Sequence, residues 1–273
     1  MNELQKIEYE LLKQFIDISE KLGVTYYLVC GSALGAVKYN GFIPWDDDVD
    51  VALPRADYER FISEAQKYLP EHIFLQNYQT DPSFTHIYSK LRASNTTYIE
   101  KAVAHLPINH GVYIDVFPLD GYPKRKFDKM NMEMQKKVYQ LQISCVYKFK
   151  RSLKGKILYK VGRVLGWHKR TAIILKKYNT CISKFPCNRA EIICNHGNWQ
   201  GKLEYAPKEQ YGEGAWAMFE GLRVRVPEKY DEYLTQKYGD WRADPPESEK
   251  VGHHYYSVMD LHKPYTEYIS KGE

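Results

Sequence analysis

Apolar residues return every three or four positions from Leu4 to Leu22 (Leu4, Ile7, Leu11, Leu12, Phe15, Ile18, Leu22). This is the period of an amphipathic helix, and Gly23 ends it. Thr25 to Cys30 is β-branched and aromatic, which predicts a strand running into a tight turn at Gly31-Ser32; Ala33 to Tyr39 predicts a short helix beginning there. Asn40 to Trp45 reads as a loop broken by Gly41 and Pro44. Asp48 to Leu53 alternates acidic and apolar residues, which predicts a strand with one wet face, and Pro54 stops it ahead of a helix over Ala56 to Tyr68. Further strands are expected at His72 to Gln76, Thr85 to Leu91 and Val112 to Phe117, the last stopped by Pro118, and helices at Lys124 to Tyr147 and Leu153 to Leu165. Beyond Ala190 the chain is rich in turns and tyrosine and shows no period. The fold class is α/β in the α+β sense: a mixed sheet flanked by helices, with a helical insertion and an irregular C-terminal region.

With 273 residues, 44% of them hydrophobic, the chain is long enough to bury one large core or a core with a satellite. It divides by pattern into residues 1–121 as a catalytic core, 122–190 as a basic helical region and 191–273 as a tyrosine-rich region that completes the site. The net charge of +5 is mild, but no Asp or Glu occurs between Glu133 and Glu191. Within Lys148 to Arg170, Leu153, Ile157, Leu158, Val161, Val164 and Leu165 fall at helical spacing, bordered by Lys154, Lys156, Lys160 and Arg163. Such a helix can lie on an anionic membrane surface or pack on the domain as an ordinary helix. Neither a secretory signal nor a membrane-spanning run is visible, so a cytoplasmic location is expected. Five cysteines, an odd count, suit reduced thiols, and Cys181, Cys187, Cys194 and His196 cluster without the paired C-x-x-C spacing of structural zinc sites. The basic run lacks the aromatic interleaving of an RNA-binding module, and no nucleic-acid partner is expected.

The chemistry lies in Gly31 to Val51, GSALGAVKYNGFIPWDDDVDV. Side chains two apart on a strand share a face, so Asp48 and Asp50 would point together while Val49 and Val51 enter the core. Two parallel carboxylates repel each other, and a hard cation such as Mg²⁺ or Mn²⁺ relieves that repulsion. A turn of small residues ahead of a helix, as at Gly31 and Ser32, can receive a phosphate. A solvated acidic turn is the plain alternative. An EF-hand fails, because its sixth and twelfth positions would be Val51 and Asp57 where Gly and Glu are required.

These residues resemble the LicD family of phospho-alcohol transferases, distant relatives of fukutin-related protein. The resemblance rests on Gly31-Ser32-Ala33-Leu34-Gly35, on Gly41-Phe42-Ile43-Pro44-Trp45 and on Asp46 to Val51. It continues through Lys90-Leu91-Arg92, Gly111 to Pro118, Val226-Pro227 and Tyr233 to Trp241. It implies a nucleotidyltransferase-like fold in which a third carboxylate, Asp115, completes a metal site with Asp48 and Asp50, these three being the candidate catalytic residues. An isolated carboxylate in the apolar strand around Asp115 would be costly without a charge partner, in agreement with that role.

The resemblance further implies a CDP-choline or related CDP-alcohol donor, attacked at the choline-bearing phosphorus by a hydroxyl of a glycan or lipid-linked glycan, with CMP leaving. Work at the inner face of the membrane, on teichoic acid, lipopolysaccharide or capsule precursors, would follow. Candidate substrate-binding residues are Gly31, Ser32, Lys38, Trp45, Asp46, Lys90, Arg92, Tyr233, Trp241 and His254. Lys90 and Arg92 would share a strand face, as phosphate ligands or as a solvated basic face. A quaternary ammonium calls for an aromatic cage, for which Trp45, Tyr211, Trp216, Tyr233 and Trp241 are available. A nucleotidyltransferase acting on a small hydroxyl compound, and an inactive glycan-binding or regulatory module, are the competing readings.

Overall fold

The structure is a computed structural model that describes residues 1–148, 151–197, 201–252 and 255–269. Helix α1 (Glu3–Leu22) starts in a capping box, Asn2 with Gln5, and ends at Gly23 in the left-handed conformation. Its stripe of Leu11, Leu12, Phe15, Ile18 and Leu22 is buried. Strand β1 (Tyr27–Leu28) is short, and the chain turns at Cys30, whose φ is +52°, one residue before the predicted turn. Gly31 and Ser32 therefore lie inside helix α2 (Cys30–Leu34), which continues through a π-turn over Gly35–Tyr39. Strand β2 (Asp50–Pro54) and helix α3 (Arg55–Glu64) follow.

The remaining strands of the first half are β3 (Ile73–Gln76), β4 (Ser89–Ala93), β5 (Thr97–Glu100) and β6 (Val112–Gly121). Helices α4 (Lys126–Val146), α5 (Leu153–Val164) and α6 (Thr171–Ile182) form the insertion. After them come β7 (Ile192–Asn195), β8 (Tyr205–Pro207), a single helical turn α7 (Lys208–Tyr211), β9 (Ala215–Phe219), β10 (Leu222–Val226), helix α8 (Tyr230–Tyr238) and β11 (Tyr256–Asp260).

Seven strands make the mixed sheet in the order β1-β2-β6-β4-β3, with β7 and β8 continuing from the far half of β6. Only β2 and β6 are parallel; the other pairs are antiparallel. Strand β6 runs through Pro118 instead of stopping there, and the register gives the reason. Asp115 N–H donates to Val49 O on the β2 side, so the Pro118 nitrogen faces the other side. On that side β4 pairing ends at Val116 and β7 pairing begins at Leu119, so the missing N–H falls in the gap.

The alternation predicted for the acidic strand is present, but the strand has no wet face. Val49, Val51, Ala52 and Leu53 are fully buried and Asp50 is nearly so, because the strand is central. Helices α1 and α3 cover the sheet together, Phe15 packing on Phe61 with ring centroids 4.9 Å apart. Arg55 at the start of α3 makes a two-pronged, buried ion pair with Asp120 of β6, at 2.8 and 2.5 Å. The stretch after Ala190 is not irregular: β7 and β8 join the main sheet, and β9 and β10 form a hairpin whose turn residues, Glu220 and Gly221, both have positive φ.

Candidate active site

Three elements built from distant parts of the chain meet over β2 and β6. Asp50 and Asp115 are register partners in the parallel pair, so their side chains stand side by side on one face. Lys90 is the register partner of Asp115 on β4, and its Nζ lies 3.1 Å from Asp115 Oδ1. The row thus reads acid, acid, base across three adjacent strands, and all three side chains are buried.

The acidic segment just before β2 forms the rim. Asp46, Asp47 and Asp48 are half-exposed, and one oxygen from each lies within 4.8 Å of the others, which among the described residues is the group of three arranged to hold a metal ion. Asp50 and Asp115 stand apart from that group, so Asp48 is the member shared by the rim and the proposed set of Asp48, Asp50 and Asp115. Gly31 admits the rim: a Cβ there would lie 2.6 Å from Asp46 Oδ2. Gly252 also approaches the rim, where a Cβ would lie 2.6 Å from Asp47 Oδ2, so the C-terminal segment reaches the acids.

The crowding of carboxyl groups shifts their titration. Burial, then Asp48, Asp115, Asp46 and Glu204, push the Asp50 carboxyl well above the usual range. Burial also raises Asp115; Lys90 opposes the shift and Asp48 and Glu100 add to it. Asp115 Oδ1 is contacted by the Lys90 ammonium at 3.1 Å and has no further partner among the described residues. A buried carboxylate oxygen in that state fits a hard divalent cation, which Asp48, Asp50 and Asp115 are of the right chemical type to hold.

Several candidates serve the frame instead of facing a ligand. Ser32 Oγ accepts the Asp50 backbone N–H at 2.8 Å and so fixes the start of β2. Tyr233 is buried in the core, and its hydroxyl accepts the Cys30 N–H at 3.0 Å, holding the positive-φ turn. Arg92 is 1% exposed; it donates to Gln76 Oε1 and Gly111 O, each at 2.8 Å, and its burial keeps it from the open side. Lys90 is also buried, against the Tyr113 ring at 3.2 Å as well as Asp115, so the pair is no solvated basic face. Lys38 donates to the carbonyls of Trp241 and Ala243 and pairs with Asp244 at 2.7 Å, which clasps the π-turn to the C-terminal region. Trp241 is buried and donates through Nε1 to Asp231.

Among the aromatic candidates, Tyr211 is buried against Tyr27 and Tyr233, and Trp216 is covered by the guanidinium groups of Arg223 and Arg225. Trp45 is half-exposed next to the acids, packed edge-on to Tyr39, and the Lys250 ammonium lies 5.2 Å from its ring centre. Its face already receives a cation. His254 and His253 lie outside the described residues. None of the five cysteines forms a disulfide: Cys187 donates to Leu119 O, Cys181 accepts from Asn131, and Cys194 lies 3.5 Å from His196 Nδ1, so only Cys194 and His196 of the four sulfur and imidazole candidates pair with each other.

Three groups at the site escape a reading of the sequence. Glu8 of α1 is 2% exposed; burial, followed by Asp48, Asp47 and Asp46, holds its carboxyl well above the usual range, and its Oε2 has no hydrogen bond among the described residues. The available signal was an acid at a position of α1 one turn before the buried Leu11 and Leu12. Lys237 of α8 and Glu204 form a buried ion pair at 2.6 Å whose Glu204 bears on Asp50. Tyr238, at the end of α8, keeps 39% of its surface exposed, yet Asp50, Asp46 and Asp48 add to burial and to Cys30 in raising its hydroxyl pKa.

The site is thus a mixed sheet carrying paired acids beside the small-residue helix α2. The family model described as LicD/FKTN/FKRP, nucleotidyltransferase domain, matches residues 23–153. The chain is thus similar to the LicD family across that segment. It is 27% identical over 262 residues to the lipopolysaccharide cholinephosphotransferase LicD of Haemophilus influenzae, covering 93% of this chain and 96% of that protein. An uncharacterized protein of Rickettsia prowazekii is 26% identical over 119 residues, 44% of this chain and 41% of its own length. Another from Rickettsia typhi is 35% identical over 63 residues, 23% of this chain and 19% of its own.

Proposed function

We propose that the chain is a phosphotransferase that moves a phospho-alcohol, phosphocholine first among them, from a CDP-linked donor to a sugar hydroxyl of a cell-surface glycan precursor. The observation that carries this reading is the placement of Asp50 and Asp115 side by side in the parallel strands, with Asp48 at the rim above them. The similarity to a lipopolysaccharide cholinephosphotransferase over nearly the whole chain supports the phosphocholine donor and the glycan acceptor.

In this reading Asp48, Asp50 and Asp115 hold Mg²⁺ or Mn²⁺, which when bound neutralises charge on the transferring phosphoryl group. The backbone around Gly31 lies beside the rim and takes the diphosphate of the donor. Lys90 opposes the upward shift of Asp115 and steers its carboxyl; Asp115 then orients the attacking hydroxyl or accepts its proton. Trp45 and Tyr238 offer aromatic surface next to the acids for a quaternary ammonium, with Lys250 marking where a cation rests on Trp45.

Mass spectrometry of products from a donor screen tests the reading. CDP-choline with a glycan acceptor and Mg²⁺ should release CMP, and Asp48→Asn should abolish this. Pyrophosphate release from a nucleoside triphosphate, with CDP-choline untouched, would instead make the chain a nucleotidyltransferase. Full turnover by Asp48→Asn would refute the site.

A further inference from the structure

Residues 134–190 contain 15 Lys and Arg and no Asp or Glu, whereas the rest of the chain contains 24 basic residues against 34 acidic ones. The mild net charge conceals a segment of +15 on a body of −10. This segment also carries apolar surface that the fold does not cover. Within α5 only Gly162 is buried, set so close to Cys145 of α4 that a Cβ would lie 2.3 Å from its Sγ. The side of α5 away from that contact bears Leu153, Ile157, Val161 and Val164, which are 76%, 58%, 45% and 87% exposed. Helix α4 bears a second exposed stripe at the same spacing: Phe127, Met130 and Met134. Lys156, Lys160 and Arg163 border the α5 stripe, and a cavity of about 380 Å³ between the two helices sets Lys137 and Arg151 beside Leu141 and Leu158.

An apolar stripe edged by long basic side chains matches a surface that is apolar inside and anionic at its boundary. A second copy of this chain meets the same face poorly, since it would bring two +15 segments together. We propose that the α4–α5 face docks the protein on an anionic phospholipid bilayer, with Leu153, Ile157, Val161 and Val164 entering the acyl boundary while Lys156, Lys160 and Arg163 meet lipid phosphates. No helix among the described residues is long and apolar enough to cross the membrane, so this contact is peripheral. It stands independently of the chemistry assigned to the acidic site and brings that site to acceptors carried on a lipid.

Flotation of the whole chain with phosphatidylcholine vesicles, with and without phosphatidylglycerol, tests the proposal. Binding should require phosphatidylglycerol and weaken as salt is raised. The combined Lys156→Glu, Lys160→Glu and Arg163→Glu variant should lower partitioning about 100-fold or more. The Ile157→Ser, Val161→Ser and Val164→Ser variant should lower it about 10-fold or more. Circular dichroism and CMP release with a soluble acceptor should match the parent in both. Absence of binding to phosphatidylglycerol vesicles, equal binding to neutral vesicles, or variants that float like the parent would overturn the proposal. So would light scattering that shows a dimer dissociated by the serine variant, because the face would then join two copies. The flotation and light-scattering readouts involve no donor chemistry, so their failure is separable from failure of the transferase reading.

Discussion

The strand pair β2–β6 and the helical insertion invert the usual arrangement in opposite ways. At the strands, charge is inside: Asp50, Asp115 and Lys90 are all buried. At α4 and α5, grease is outside, with Phe127, Leu153 and Val164 each more than two-thirds exposed. Each departure costs stability in isolation, since buried charge wants a counter-charge and exposed apolar surface wants a cover. Elsewhere the same molecule follows the ordinary rules. Arg55 and Asp120 neutralise each other under α3, and α1 buries its stripe from Leu11 to Leu22. The two exceptions are where we propose that the fold is completed from outside, by a cation and donor at the strands and by a bilayer at the helices.

The comparison can be broken most severely at Asp115. Asp115→Asn keeps the shape of the side chain and removes the charge, and should lower the rate of CMP release at least about 10³-fold, measured at saturating CDP-choline. If the buried row were only structural, the rate would hold. Asp120→Ala strips the partner from a buried guanidinium and should destabilise the protein by about 3–5 kcal/mol in urea unfolding. This effect belongs to the compensated pair and should not respond to Mg²⁺.

Asp50→Asn should do the reverse in metal-free protein and raise stability by about 1–2 kcal/mol at neutral pH, because one repelling buried charge disappears. The sign follows from the direction of the shift. A carboxyl whose folded pKa is raised lets the folded state keep its proton longer than the unfolded chain, so its contribution declines as pH rises from the ordinary carboxylate value of about 4 toward the folded pKa. The melting temperature of Asp50→Asn relative to the parent should then be nearly equal at the acidic end of that window and higher at neutral pH. Added Mg²⁺ should close the gap by stabilising the parent alone. At the other pole, Ile157→Ser on the exposed stripe should change unfolding free energy by no more than about 0.5 kcal/mol, whereas Leu12→Ala in the core should cost about 2–5 kcal/mol.

Much of this was legible along the chain. The α1 stripe, the Asp48 to Leu53 alternation and the α5 periodicity all correspond to elements within a few residues of their predicted bounds. Misplacements have local causes. Pro118 suggested a strand end because the gap between β4 and β7 that tolerates it is a property of neighbouring strands. Lys90 and Arg92 suggested phosphate ligands or a solvated basic face because nothing in their own strand shows that Asp115, Tyr113 and Gln76 surround them. Of the C-terminal strands, β10 carries a readable signal, the alternation Leu222-Arg223-Val224-Arg225-Val226, whereas β8 is three residues long, too short to display one.

What the sequence determined by itself was the inventory and its local order: which helices have an apolar side, where the acids cluster, where the chain must bend, and which segment is wholly basic. These depend on side-chain spacing and on charges a few residues apart. The tertiary structure decided which groups share an environment. It set Asp115 beside Asp50, brought Glu8 beneath the acidic rim, paired Lys237 with Glu204 next to the site, and left the α5 stripe facing outward. Burial and electrostatic coupling act across space without regard to chain separation, and so only the packed molecule could assign them.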